Sequence, residues 1–215
     1  MQRRTFLQGL GGSALLGTSL SLPGSAWANW LVPTPAQTEG PFYPARLPLD
    51  RDNDLLRVAG AEADPGSPVA HVMGRLLDRN GRAIPKARIE IWQCDAQGVY
   101  LDATGGTALD SGFQGYGATE TDDEGAYRFR TIRPVPYGGR TPHIHFAVSG
   151  AGFSRLVTQL YVAGEAGNAR DFVLNRIRHE KARQAVIADF EPAGEIEPGA
   201  LAASFDIVLG ETPGE

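Results

Sequence analysis

The chain has 215 residues, of which 20 are Lys or Arg and 25 are Asp or Glu, giving a formal net charge of −5. This acidic balance disfavours nucleic acid or an anionic membrane surface as the partner. The single cysteine, Cys94, excludes an intrachain disulfide, so a packed core must stabilise the fold, and a chain of this length can build one as a single domain. We expect Cys94 to be a buried thiol, since no nucleophile motif surrounds it.

Residues 1–28 have the features of an export signal. Arg3 and Arg4 precede a stretch rich in Gly, Ala, Leu and Ser from Gly9 to Leu22, which is too short and glycine-rich for a comfortable transmembrane span. The twin arginine resembles a Tat signal, with cleavage expected after Ala28. A Sec signal or an uncleaved anchor is the alternative. We therefore expect a periplasmic or otherwise exported protein without a stable membrane anchor after cleavage.

The remaining chain predicts an all-β fold. Residues 29–68 are rich in Pro and Gly and are expected to wrap over a core that spans 69–215. Short runs of β-forming residues separated by turn signals favour an antiparallel β-sandwich with long loops and at most short helices. Strands are predicted at Val69–Leu77, Ala87–Gln93, Ala126–Ile132, His143–Ser149, Leu156–Val162 and Ser204–Leu209, a loop at Leu101–Glu124 and one short helix within His179–Phe190.

Two histidines separated by one residue mark a candidate metal site. His143 and His145 alternate with Ile144 and Phe146 on a predicted strand, so both imidazoles should point to one face. Imidazole pairs of this kind commonly bind Zn, Cu, Fe or Ni. Tyr137 lies six residues before the pair and is a candidate third ligand.

Other kinds of metal site need donors that the motif does not supply. A mononuclear Fe(II) oxygenase site requires a carboxylate beside two histidines, and a zinc hydrolase requires a third histidine or a carboxylate. The carboxylates at 122–124 lie in a predicted turn. His71 and His179 carry no motif and are expected to be surface or structural residues.

Five sequence blocks in order resemble a known family. They are TEGPFYP (Thr38–Pro44), EIWQCDAQGVY (Glu90–Tyr100), GFQGYGATETDDEGAYRF (Gly112–Phe129), IRPVPYGGRTPHIHF (Ile132–Phe146) and TQLYV (Thr158–Val162). Together they resemble the intradiol ring-cleavage dioxygenases, and the protocatechuate 3,4-dioxygenase group more than the catechol 1,2-dioxygenases. The resemblance covers most of the chain that follows the signal.

The resemblance implies one Fe(III) per chain, held by Tyr100, Tyr137, His143 and His145. The chemistry of this donor set agrees, because a hard trivalent cation prefers anionic phenolate oxygen to thiolate or thioether. A phenol ordinarily ionises near pH 10, and a cation within bonding distance favours the phenolate. By the same resemblance, Tyr137 is the ligand that leaves the metal and accepts a proton from the substrate.

Four further residues match family positions around the substrate. Arg140 would stabilise anionic character on the substrate, unless it is an ordinary surface cation. Gln159 would hydrogen-bond the substrate or an oxygen species, unless it is a plain edge-strand residue. Gly40 and Pro41 match a segment that lines the substrate cleft and that a partner chain supplies in the protocatechuate group. The resemblance therefore also suggests a homo-oligomer.

The implied activity is cleavage of a catechol-type diol by O2 between its two hydroxyl-bearing carbons, yielding a cis,cis-muconate. Two alternatives stay open: an exported iron- or catechol-binding protein with little turnover, and a transthyretin-like module in which the histidine pair is incidental. Two departures from the family pattern, Thr141 before Pro142 and Gly138 after Tyr137, leave the choice of catechol open.

Overall fold

The computed structural model describes residues 31–58, 61–62, 66–101 and 113–210. Twelve short strands dominate them, and helix is confined to a few turns. The strands are β1 Arg57–Val58, β2 Ala61–Glu62, β3 Val69–Leu77, β4 Arg88–Trp92, β5 Tyr116–Glu120, β6 Ala126–Ile132, β7 His143–Ser149, β8 Leu156–Val162, β9 Ile187–Ala188, β10 Glu191–Pro192, β11 Leu201–Ser204 and β12 Ile207–Val208. The α-helix α1 spans Glu180–Gln184, and 3-10 turns cover Ala166–Ala169 and Leu174–Arg176.

Two five-stranded sheets form the body of the protein. In the first, β3 pairs antiparallel with β6 and parallel with β11 and β12, and β10 extends it beyond β11. The second has the order β5-β4-β7-β8-β9, antiparallel except for β8 and β9. The predicted all-β sandwich is confirmed, with parallel pairs that the predicted antiparallel arrangement did not include.

The strand predictions hold where alternation is strong. Those for Val69–Leu77, Ala126–Ile132, His143–Ser149 and Leu156–Val162 match β3, β6, β7 and β8, and Ala87–Gln93 contains β4. Only parts of the last predicted strand, Ser204–Leu209, are in strands: Ser204 ends β11 and Ile207–Val208 form β12. Between them, the Phe205 backbone lies close to β3, with its amide donating to the Met73 carbonyl at 2.8 Å. A Cβ on Gly74 of β3 would lie 2.0 Å from the Phe205 carbonyl oxygen.

Two predictions were wrong in part. Within the predicted loop Leu101–Glu124, Tyr116–Glu120 form β5, which pairs with β4 although Gly117 weakens its strand pattern. The predicted helix His179–Phe190 is a helix only over Glu180–Gln184. Ile187 and Ala188 instead pair with β8, so tertiary pairing overrides local helix propensity there.

The strand β7 separates two apolar clusters. Ile144, Phe146 and Val148 belong to the main core between the sheets, where Phe146 contacts Phe129 and Phe205. Ala147 on the opposite face of the strand packs with a smaller cluster that contains Trp92, Tyr100 and Tyr116. Since side chains alternate along a strand, His143 and His145 point toward this second cluster.

The N-terminal segment crosses both sheets. The amide of Thr34 donates to Val208 of the first sheet at 2.9 Å, and that of Gln37 donates to Val157 of the second at 2.8 Å. Leu55 and Leu56 are buried in the main core. The division into a wrapping segment over residues 29–68 and a core over residues 69–215 stays a prediction.

The predicted signal, residues 1–28, lies outside the described residues. Among those that are described, no helix is long and apolar enough to cross a membrane.

Candidate metal centre

The strand β7 places the two histidines side by side. The Nε2 atoms of His143 and His145 are 3.2 Å apart, and both side chains are buried. The indole of Trp92 on the neighbouring strand stacks on the His145 ring, with centroids 4.8 Å apart and an interplanar angle of 11°. The two histidines therefore share one face of β7, as predicted, and stacking of the Trp92 indole restricts the orientation of the His145 ring.

Hydrogen bonding assigns the tautomer of His143. Its Nδ1 lies 2.7 Å from the carbonyl oxygen of Thr141, which can only accept, so Nδ1 carries the proton and Nε2 a lone pair. Burial, followed by the charge of Arg140, lowers the pKa of His143 to about 4. Burial also lowers the pKa of His145 well below its usual value, with smaller contributions from His143 and Arg140. Both rings are thus neutral near pH 7, the form that binds a metal.

Two tyrosines complete the group. The Tyr137 ring centroid lies 5.0 Å from that of Tyr100 and 5.3 Å from that of His143. Tyr100 lies 6.0 Å from His145, again between ring centroids. The four predicted ligands, which come from three separate segments, are therefore gathered in one place.

A two-residue turn presents Tyr137. The amide of Arg140 donates to the Tyr137 carbonyl at 2.7 Å, and the residues between them, Gly138 and Gly139, have φ of +52° and +82°. Positive φ at both central positions defines a type I′ turn, which glycine adopts without steric cost. The sequence YGGR thus places Tyr137 and Arg140 opposite each other across the turn.

The donor set fits a trivalent cation. The Tyr100 hydroxyl is buried and makes no hydrogen bond of standard geometry with any described residue. Burial, with a smaller contribution from the nearby Tyr137, raises the pKa of Tyr100 strongly, and burial also raises that of Tyr137. A cation at this point would compensate for that desolvation and favour both phenolates. The 3.2 Å between the histidine nitrogens is less than two metal–imidazole bonds of about 2.1 Å each, so both can reach one ion.

The alternative ligands lie elsewhere. Across the described part of the chain, no three His, Cys, Asp or Glu side chains group in a way that could hold a metal. His71 contacts Glu197 and Arg128 through its two ring nitrogens, each at 2.9 Å, and His179 caps α1. Asp122 accepts amide hydrogen bonds within the turn between β5 and β6.

Arg140 belongs to a buried polar network. Its Nε donates to Asp171 Oδ2 at 2.7 Å, and its Nη2 donates to Gln159 Oε1 at 2.8 Å and to the Tyr161 hydroxyl at 3.4 Å. Its side chain is only 9% exposed, so Arg140 is not a surface cation. Gln159 is fully buried within β8, and its Nε2 donates to the Thr38 carbonyl at 3.0 Å.

Asp171 remains ionised in this network. Burial acts to raise its pKa, but hydrogen bonds from Arg140, the Leu174 amide and the Thr141 amide lower the pKa overall. A carboxylate that accepts this many hydrogen bonds is stabilised in its charged form.

The segment Thr38–Pro44 covers the site. The Phe42 ring stacks on Tyr100 with centroids 4.6 Å apart and planes 11° apart. A Cβ on Gly40, where φ is +74°, would lie 3.5 Å from Cε1 of His145. Pro41 between them is exposed. The predicted cleft segment thus lies next to Tyr100 and His145 of its own chain.

Several contributing residues were not identified from the sequence. Trp92 was interpreted as a core aromatic, yet it stacks on a candidate ligand. Phe42 lies in the TEGPFYP block, and its place in that block could have identified it as a residue of the site. Asp171 is 31 residues from Arg140 and has no local motif, so its role could not be found from spacing.

Comparison with known proteins agrees with this geometry. The Dioxygenase_C family model, described as a dioxygenase, matches residues 38–211. The protocatechuate 3,4-dioxygenase beta chain of Burkholderia cepacia is 37% identical over 179 residues, covering 79% of this chain and 76% of the relative. Catechol 1,2-dioxygenase of Acinetobacter baylyi is 34% identical over 163 residues, covering 65% and 49% respectively.

Solved structures show the same architecture. The dioxygenase domain of a carbohydrate-binding fusion from Streptomyces sp. SirexAA-E superimposes with a TM-score of 0.63 at 28% identity, covering 84% of this chain and all of that one. Mercury-inhibited catechol 1,2-dioxygenase from Acinetobacter sp. ADP1 gives a TM-score of 0.64 at 28% identity, covering 82% of this chain and 62% of that one. Family match and fold together show that the chain belongs to the intradiol ring-cleavage dioxygenases, oxidoreductases that act on catechol-type aromatic diols.

Proposed function

We propose that this enzyme uses one Fe(III) to cleave a catechol-type diol with O2, giving a cis,cis-muconate that contains both oxygen atoms. The observation that supports this is the convergence of Tyr100, Tyr137, His143 and His145 on one buried point. When bound by these four side chains, Fe(III) supplies Lewis-acid and templating chemistry that makes the chelated diol reactive toward O2.

The two tyrosines have different surroundings, which supports different roles. Tyr100 is 2% exposed and is held under the Phe42 ring, so its phenol is well fixed. Tyr137 is only half-buried and lies on the two-residue turn. We assign to Tyr137 the role of the ligand that gives up its place to the substrate. Its phenol oxygen accepts one proton from the incoming diol, and its raised pKa keeps that proton in place.

Arg140 and Gln159 orient the substrate in this proposal. The guanidinium keeps its charge at any working pH and lies beside the Tyr137 turn, where it stabilises a diolate. Gln159 fixes both Arg140 and the cover segment, since its amide bonds the guanidinium on one side and the Thr38 carbonyl on the other. Trp92, Phe42 and Tyr100 exclude water from the histidine side.

Export and assembly are also proposals. Arg3 and Arg4 support a Tat route to the periplasm or beyond, with cleavage after Ala28. Replacing both arginines by lysine should retain the protein in the cytoplasmic fraction, and unchanged export would contradict this route. Two relatives are named as the alpha and beta chains of protocatechuate 3,4-dioxygenase, which supports a multi-chain assembly, and we propose that here it consists of copies of this one chain. A monomeric mass in solution would argue against it.

The test is oxygen uptake by iron-loaded mature protein with catechol, protocatechuate and hydroxyquinol, without added reductant. We expect stoichiometric muconate formation and a red to burgundy tyrosinate-to-iron absorption band. Tyr100→Phe should weaken and shift the band, since only the Tyr137 phenolate remains, and should lose the activity. In the matched control Tyr127→Phe, the hydroxyl that is removed donates to the Phe205 carbonyl in the core, so both the band and the activity should be kept. A coloured but inactive protein would identify a binding protein. A colourless protein with stoichiometric zinc would refute the proposal.

A further inference from the structure

Among the residues that the structure describes, one nitrogen of the Arg140 guanidinium has no hydrogen-bond partner. Nε is bound to Asp171, and Nη2 is bound to Gln159 and Tyr161. That nitrogen is Nη1, which makes no hydrogen bond to any described residue. Nη1 is also absent from the set of unpartnered polar atoms that are fully buried, so it keeps some exposed surface. Two of the three guanidinium nitrogens are therefore fixed by hydrogen bonds, and the third, Nη1, is available to an anionic ligand.

Asp171 is itself fixed by the backbone. Its Oδ1 accepts from the amides of Val173 at 3.0 Å and Leu174 at 2.9 Å, and its Oδ2 accepts from the amide of Thr141 at 3.1 Å as well as from Arg140. With both oxygens engaged, the carboxylate cannot rotate away from the guanidinium. Such charge-assisted bonds are short and directional, which suits them to fixing an orientation.

The same carboxylate connects Arg140 to a metal ligand. The Thr141 amide donates to Asp171, and the Thr141 carbonyl accepts from Nδ1 of His143. Asp171 thus determines the position of the backbone between the guanidinium and the histidine pair.

The residue next to Asp171 covers the guanidinium from outside. Phe172 is 62% exposed, and its ring centroid is 5.4 Å from Cζ of Arg140 and 5.9 Å from Cζ of Arg176. A guanidinium at this distance over an aromatic face is attracted to it. This contact accounts for an otherwise exposed aromatic side chain beside the site.

From these contacts we propose that Asp171 is a positioning residue for ring cleavage, orienting Arg140 so that Nη1 faces the bound diol. The role rests on the proposed function, because it matters only if Arg140 stabilises the reacting diolate. A purely structural role, in which Asp171 only caps the turn at Val173 and Leu174, makes a different prediction.

Asp171→Asn separates the two roles. The asparagine oxygen can still accept from the Val173 and Leu174 amides, but its NH2 group would face Nε of Arg140, and two donors cannot bond. Asp78→Asn is the matched control, since Asp78 is also buried and its Oδ1 accepts from the amides of Asn80 and Arg82. Within the described part of the chain, no arginine side chain is bonded to Asp78.

We expect Asp171→Asn to lower kcat about 10- to 100-fold while the iron absorption band and the thermal midpoint stay near those of Asp78→Asn. The second readout does not depend on activity. It is the NMR resonance of the Arg140 Nε–H in ¹⁵N-arginine-labelled protein, identified by its loss in Arg140→Lys. In the wild type, this resonance should differ from that of a solvent-exposed arginine and its proton should exchange slowly with water. It should move to the solvent-exposed position in Asp171→Asn and stay unchanged in Asp78→Asn.

Unchanged kcat or an unchanged Arg140 resonance in Asp171→Asn, with an active wild type, would overturn the positioning role alone. An equal loss of kcat in Asp78→Asn would also overturn it. A wild-type protein that forms no muconate would refute the proposed function and with it the role of Asp171 in that reaction.

Discussion

Removing the Tyr100 hydroxyl should change stability in opposite directions with and without metal. In the metal-free protein this hydroxyl is buried without a well-formed hydrogen bond to any described residue, and its ring contact with Phe42 would survive in Tyr100→Phe. An unsatisfied buried polar group costs about 1–3 kcal/mol, so its removal should raise the free energy of unfolding by about 1 kcal/mol. For a chain of this size that corresponds to about 2–4 °C in the midpoint.

With iron bound, the wild type should be more stable than Tyr100→Phe, the reverse of the metal-free order. A ligand that binds only the folded state at a hundredfold excess over its Kd adds about 2.7 kcal/mol, and the variant, lacking one phenolate, should gain much less. The control is Tyr127→Phe, which leaves the Phe205 carbonyl without its hydroxyl donor and should lower stability by about 1–2 kcal/mol in both states.

Calorimetry and denaturant titration on metal-free and iron-loaded samples provide the measurement. If metal-free Tyr100→Phe is destabilised as much as Tyr127→Phe, the Tyr100 hydroxyl is satisfied in the folded protein. A metal would then not be needed to compensate for the burial of this hydroxyl.

Three further outcomes are expected. Gly139→Ala and Gly164→Ala, both at φ near +80° with open space around the new Cβ, should each lose about 1–2 kcal/mol in denaturant titrations, but only Gly139→Ala should also reduce ring cleavage; equal activities would contradict a role for the turn. Hydrogen bonds, above all from Arg130, lower the pKa of Glu197 to about 2, so its contribution of about 1 kcal/mol is present above pH 4.5 and lost as pH falls toward 2; Glu197→Gln should flatten the midpoint-versus-pH curve over this range, and an unchanged curve would refute the pairing. Burial, then the charge of a neighbouring aspartate, raises the pKa of Cys94 to about 12, so a thiol reagent at pH 8 should label it only after unfolding; rapid labelling of the native protein would contradict its burial.

The sequence predicted those strands and turns that depend only on residues close together along the chain. The alternation in β7 set the common face of His143 and His145 without reference to the rest of the fold. The turn residues of YGGR likewise require positive φ that only glycine adopts easily. By contrast, β5 was missed because its pairing with β4, not its own composition, makes it a strand.

The all-β pattern and the histidine pair followed from local residue patterns, and the resemblance added the identity of the four candidate ligands. The stacking of Phe42 on Tyr100, the stacking of Trp92 on His145 and the ion pair of Asp171 with Arg140 became known only from the folded chain. The difference lies in the sequence distance over which each feature is set. Strand alternation and turn dihedrals depend on residues two to four positions apart, whereas these contacts join segments tens of residues apart whose meeting depends on sheet pairing and burial.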